Sequence, residues 1–128
     1  MTNSKTILIT GSNRGIGLEL VKESLTKNFS VVGTFRNKNN AKELLKLKSN
    51  NLKLFEMDVV KENSILNVSN NIDYTIDYLI CNAGINNGYG GIFDQDHSYE
   101  KMLEVLNVNV LGCILTIKHF TRNLRKNA

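Results

Sequence analysis

Four apolar runs of strand length, Thr6 to Thr10, Ser30 to Phe35, Leu52 to Met57 and Ile76 to Cys81, are separated by segments of helical period. That alternation restricts the fold more than any other feature. The first helical segment repeats apolar residues at Ile16, Leu20, Val21 and Leu25, the second at Ala41, Leu44 and Leu45, and the third at Ile65, Leu66, Val68 and Ile72. A longer one, Ser98 to Arg125, places Met102, Val105, Leu106, Val110, Ile114, Ile117 and Phe120 near one face, with Ser98 suited to its N-cap. Runs rich in Ile, Val and Leu that lack polar alternation are buried on both sides, as in a parallel sheet. Right-handed crossovers then predict an α/β fold of three layers, with four parallel strands in the order 3-2-1-4 and helices on both faces. The 128 residues, 41% of them hydrophobic, suffice for one domain, 1–128, with a real core.

Directly after the first strand comes Thr10-Gly11-Ser12-Asn13-Arg14-Gly15-Ile16-Gly17, which opens the first helix. Glycines there allow a tight turn and close backbone approach, and a helix N-terminus offers free N–H groups and a positive dipole end to a pyrophosphate. In a βαβ unit this position suits Gly11, Ser12, Asn13, Arg14, Gly15, Ile16 and Gly17 to binding a dinucleotide. The bland alternative is a structural turn between strand and helix.

The Thr-Gly-x-x-x-Gly-x-Gly spacing resembles the short-chain dehydrogenase/reductase family. So do Asp58-Val59 after strand three, Asn82-Ala83-Gly84 after strand four and Asn109-Val110-Leu111-Gly112 in the last helix. The phrase Leu79-Ile80-Cys81-Asn82-Ala83-Gly84-Ile85 is similar to the carbonyl-reductase-like branch. The resemblance covers the whole chain and implies a Rossmann-like fold truncated before its fifth strand. It also implies an adenine contact from Asp58, with Val59 beside it in the cofactor-binding set, and backbone contact to the cofactor from Asn82, Ala83 and Gly84. Asn109 would carry the catalytic role of organising a water or a lysine. Taken alone, Asp58 reads equally as a helix cap and Asn109 as a packing residue.

Charge selects among dinucleotides. An NAD enzyme places a carboxylate at the end of strand two, but here the segment reads Gly33-Thr34-Phe35-Arg36-Asn37. Arg36, with Arg14 from the glycine loop, suits the 2′-phosphate of NADP, and NAD is the less favoured cofactor. The alternative is a pair of solvated surface charges.

Hydride transfer in this family uses a Tyr-x-x-x-Lys pair and a serine. Tyr74, Tyr78, Tyr89 and Tyr99 are followed four residues later by Tyr78, Asn82, Phe93 and Leu103, so no tyrosine here has the lysine. His97 and His119 stand isolated, no metal-ligand spacing occurs, and Asp94 and Asp96 lie in a glycine-rich loop. Three readings stay open: a cofactor-binding but inactive oxidoreductase relative, one half of a split NADPH-dependent carbonyl reductase, and a non-catalytic protein that docks on a full-length relative.

A strand Ile76 to Cys81 left at the sheet edge, and the helix Ser98 to Arg125 beside it, invite self-association or a partner chain. The net charge of +4 is spread over several helices and gives no nucleic-acid signature. Cys81 and Cys113 in apolar runs, no signal peptide and no run of about 20 apolar residues predict a cytoplasmic chain with reduced thiols and no membrane partner.

Overall fold

A computed structural model describes residues 4–88 and 90–126; Met1 to Asn3, Tyr89, Asn127 and Ala128, which enter the expectations about the two ends and the tyrosines, lie outside them. Four parallel strands, β1 (Thr6–Ile9), β2 (Ser30–Phe35), β3 (Leu52–Glu56) and β4 (Tyr78–Ile80), form one sheet in the order β3-β2-β1-β4. Ile7 pairs with Val31 on one side and Tyr78 on the other, and Val31 pairs onward with Leu52. The helices are α1 (Gly15–Thr26), α2 (Lys42–Lys46), α3 (Glu62–Asn70), α4 (Tyr99–Leu106) and α5 (Gly112–Phe120).

Strand alternation divides the core. Ile7, Ile9 and Val31 pack with Leu18, Val21 and Leu44 on the α1 and α2 side. Leu8 and Val32 pack with Met57, Ile65, Val68, Val108 and Phe120 on the α3 and α5 side. Both faces of the sheet are therefore covered, which is why its strands read as unbroken apolar runs.

The last helical segment differs from its expected form. Ser98 caps it, its Oγ accepting from Lys101 N. A π turn, Asn107–Leu111, then joins α4 to α5. The segment's buried residues are Val108, Gly112, Thr116 and Phe120. Of the expected apolar stripe only Phe120 is buried, while Met102, Leu106, Val110, Ile114 and Ile117 are exposed. Apolar periodicity found a face but not the covered one, because the buried line runs through a glycine and a threonine. The continuous helical stretch Tyr99–Asn123 is 25 residues long and by length and composition could cross a bilayer. A search for an unbroken apolar run misses it, because Glu100, Lys101, Glu104 and Lys118 interrupt it. Here one of its faces packs on the sheet.

The expected bare edge is also shorter. A turn at Thr121–Asn123 brings the chain back so that Leu124 bridges Ile76 in parallel, Ile76 N donating to Asn123 O and Arg125 N donating to Ile76 O. Asp77 N donates to Thr6 O, so the side left open is that of Tyr78–Ile80.

Asp77 is a clasp. Its Oδ2 accepts from Thr6 N at 2.8 Å, and its Oδ1 meets the Arg125 guanidinium. The Thr6 N–H, and then Arg125, hold its carboxyl below the ordinary value of 3.8. A depressed folded-state pKa gives stability that is present above the unfolded value and is lost as pH falls through the folded one. Asp77→Asn is therefore expected to cost about 2 kcal/mol at neutral pH. It should also flatten the fall in stability below about pH 4, measured by urea unfolding across pH; an unchanged acid limb would count against the clasp.

Candidate functional site

Thr10 follows β1 with its side chain buried, its hydroxyl accepting from Ala83 N at 3.0 Å. The Asn82 side chain reaches back the other way, Nδ2 donating to the carbonyls of Thr10 and Gly11 at 3.1 Å each. The loops after β1 and β4 are thereby laced together. The lacing is close: a Cβ on Gly11 would stand 2.8 Å from Ala83 Cα, and one on Gly17 would stand 2.1 Å from Gly11 O. Gly11 and Gly15 both adopt positive φ, +66° and +53°.

Helix α1 starts at Gly15 with Arg14 as N-cap, no side chain capping it and no acid in its first turn. The first amides of a helix have no intrahelical partner, so these N–H groups and the positive dipole end face outward.

Beside that helix end opens a cleft of about 710 Å³, lined by Gly11, Asn13, Arg14, Gly15, Ile16 and Gly17 from the first loop, and by Arg36. Asp58 and Val59, then Asn82, Ala83 and Gly84, complete the expected set on its walls. The ends of β1 to β4 and their loops thus bring twelve of the thirteen expected cofactor residues around one space. Ser12 is the one set apart. It is fully buried beneath the loop, its Oγ donating to Ile9 O and its N to Thr34 O.

Asp58 faces the cleft from a turn of its own making. Its N donates to Ser64 Oγ, its Oδ1 accepts from Val60 N, and Lys61 Nζ lies 3.8 Å from Oδ2. Among the lining residues, two cations, Arg14 and Arg36, stand with one carboxylate. Arg36 follows β2 and is exposed.

Asn109 is not on the cleft wall but behind it. In the π turn its Nδ2 donates to Ile85 O at 2.9 Å and its Oδ1 accepts from Ile85 N at 2.8 Å. Both backbone groups of Ile85, which does line the cleft, are thus held by one amide.

Asn37, Asn40, Met57, Ile85 and Val108 also line the cleft and were not anticipated. Asn13 Nδ2 donates to Asn40 O at 3.1 Å, tying the glycine loop to the turn after β2. Thr10 was visible as part of the glycine motif, but only the fold shows its hydroxyl taking Ala83. His119 is not isolated: its Nε2 lies 2.7 Å from Glu62 Oε1, which also accepts from Lys118 Nζ at 2.8 Å. Lys118 first, then His119, hold the Glu62 carboxyl below the usual range, tying α5 to the start of α3. Tyr89 lies outside the described residues.

The family model described as short chain dehydrogenase matches residues 5–128. The 3-oxoacyl-[acyl-carrier-protein] reductase FabG of Buchnera aphidicola subsp. Baizongia pistaciae is 32% identical, the match covering 98% of this chain and 52% of that protein. Estradiol 17-beta-dehydrogenase 1 of Rattus norvegicus is 29% identical over 97% of this chain and 38% of its own length. Among solved structures, ElxO with NADP bound superposes with a TM-score of 0.80 at 27% identity, covering 93% of this chain and 50% of that one. Sniffer of Caenorhabditis elegans superposes with a TM-score of 0.82 at 25% identity, covering 93% and 52%. The chain spans about half the length of the curated relatives FabG and its like.

Proposed function

The chain belongs to the short-chain dehydrogenase family, and from that premise we propose that its cleft holds NADP. One observation carries the reading: the uncapped N-terminus of α1, with glycines at positive φ beside it, opens on the same space as Arg14 and Arg36. A pyrophosphate fits there because the helix end supplies N–H donors and Gly15, with nothing within 4 Å of the place its Cβ would take, leaves room for close approach. Arg36 and Arg14 would take the 2′-phosphate, Asp58 and Val59 would lie along the adenine, and Asn82, Ala83 and Gly84 would form the opposite wall. NAD is the weaker ligand, because no acid stands at the end of β2 for the ribose hydroxyls. NADPH fluorescence titrated against the chain should change saturably; no saturable change at millimolar concentrations would overturn the reading.

When bound, this cofactor supplies a hydride. The residues in hand hold and orient it and fix Ile85 through Asn109. None of them is a tyrosine followed four residues later by lysine, so we propose that these 128 residues alone do not reduce a carbonyl. Turnover of an aldehyde by the purified chain with NADPH would refute that. A second polypeptide that supplies the pair, and restores turnover on mixing, would assign the chain to a split reductase instead.

A second copy of the chain is the partner we propose for the exposed face of α4 and α5. Leu106 is 54% exposed, Ile114 55% and Ile117 47%, and Met102 and Val110 are exposed as well, so apolar side chains recur along the outer side of this helical segment. Ile114→Glu is expected to lower self-association about tenfold, read by sedimentation velocity, without loss of NADPH binding. An unchanged association constant would remove this face from the interface.

A further inference from the structure

We propose that Asn87-Gly88, in the loop after β4, is a self-modifying site that turns the Asn87 side-chain amide into a carboxylate and so frees this loop from α4. Asn87 is the one asparagine in the sequence followed by glycine. A residue without Cβ leaves its backbone nitrogen unshielded and lets the chain bend until that nitrogen reaches the Asn87 Cγ. The stretch from Cys81 to Gly88 is neither helix nor strand, and Gly88 N donates at 3.2 Å to Asn86 Oδ1, an exposed bond that water can replace. Asn82 and Asn63, which also precede small residues, are held differently. Asn82 Nδ2 is fixed by the carbonyls of Thr10 and Gly11 while Ala83 N is taken by the Thr10 hydroxyl. In α3 the nitrogen after Asn63, that of Ser64, donates to Lys61 O at 2.8 Å. Asn87 differs also in what it holds, since its Nδ2 donates to Glu104 Oε2 at 2.8 Å and ties the loop to α4. Neither Asn87 nor Gly88 lines the cleft.

The chemistry needs only water as co-reactant. Gly88 N–H gives its proton to solvent, the nitrogen attacks Asn87 Cγ, and a C–N bond forms as the Cγ–Nδ2 bond breaks; ammonia leaves with a proton returned by solvent. The product is a cyclic imide. Water then adds at Asn87 Cγ and reopens the ring to aspartate, or adds at the Asn87 main-chain carbonyl carbon and leaves the backbone running through Cβ and Cγ as isoaspartate. One water enters, one ammonia leaves, and nothing is oxidised or reduced. Either product puts a carboxylate where Nδ2 had donated to Glu104. The hydrogen bond to a charged acceptor is lost and two like charges repel in its place, so the contact between loop and helix changes sign.

The test ages the purified chain in neutral buffer and maps its peptides. The peptide holding Asn87 is expected to gain the mass difference between hydroxyl and amino, and to split into aspartate and isoaspartate forms, before any other asparagine changes. Direct hydrolysis of the amide gives no isoaspartate, so aspartate alone, an intact Asn87 or earlier change at another asparagine would each overturn the proposal. Gly88→Ala should slow the reaction at least about tenfold, and an unchanged rate would also overturn it. The added Cβ would stand 2.9 Å from His97 Cε1, the end of a side chain that can turn aside. Release from α4 is read by chymotrypsin cleavage after Phe93, which is fully exposed. Cleavage should be about tenfold faster in the aged chain and in Asn87→Asp, and adding Glu104→Gln to Asn87→Asp should restore slow cleavage, because the new amide can donate to the carboxylate. Equal cleavage of aged and fresh chain, or no rescue by Glu104→Gln, would sink the release from α4.

Discussion

Replacing Gly17 with alanine is expected to lower the stability of the chain by about 3 kcal/mol, near the upper end of what overpacking costs. A Cβ at Gly17 would stand 2.1 Å from the carbonyl oxygen of Gly11 and 2.6 Å from Asn82 Nδ2. Neither is the end of a flexible side chain free to turn away: the first is backbone, and the second is fixed by two hydrogen bonds to Thr10 and Gly11 carbonyls. Relieving the clash means lifting α1 off β1 or breaking the lacing between the two loops, and either also spoils the cleft. For a domain of this size the midpoint of thermal unfolding should drop by roughly 10–15 °C. Gly15→Ala is the control. Gly15 has positive φ but nothing within 4 Å of the added atom, so the strain alone should cost about 1 kcal/mol. Circular dichroism melts and urea titrations of both variants decide the matter; equal losses would mean that backbone strain, and not close approach, makes Gly17 a glycine.

These two glycines also show what the sequence carries. Strand order and the three layers follow from the alternation of apolar runs and helical segments, since parallel pairing with right-handed crossovers leaves few arrangements. Arg36 and Asp58 could be placed at strand ends for the same reason: a strand of known direction puts the residue after it at a known edge of the sheet. What could not be read were contacts between segments far apart in sequence. The buried face of the last helix runs through Gly112 and Thr116, which no hydrophobic count selects, and the π turn at Asn107–Leu111 shifts the residues after it around the axis. Ser12 falls beneath the cleft because its hydroxyl finds Ile9 O three residues back, a local bond that a motif of glycines does not announce. Asn109 was legible as a polar residue in a helix, but its grip on both backbone groups of Ile85 depends on how the loop after β4 returns across α4 and α5.

Arg36→Glu is expected to weaken NADPH binding about a hundredfold while leaving NADH nearly unchanged. A guanidinium paired with a phosphate in a charge-assisted bond contributes about 1.5–3 kcal/mol, and a carboxylate in its place adds repulsion of the same dianion. Arg36 is exposed at the end of β2, away from both core clusters, so the substitution should change stability by less than about 0.5 kcal/mol. Lost affinity would therefore report on the phosphate and not on unfolding. Arg14→Gln removes a charge from the other side of the same cleft without reversing it, and about a tenfold loss is expected there. Both effects should shrink as salt rises from about 0.05 to about 0.5 M, since a partly solvated pair is screened over roughly a Debye length. Fluorescence titrations with NADPH and NADH at two ionic strengths separate the possibilities. If the two cofactors weaken together in Arg36→Glu, the arginine holds what they share, the ribose or the adenine, and the preference for NADP loses its physical basis. If neither weakens, the cation at the end of β2 is only a solvated surface charge.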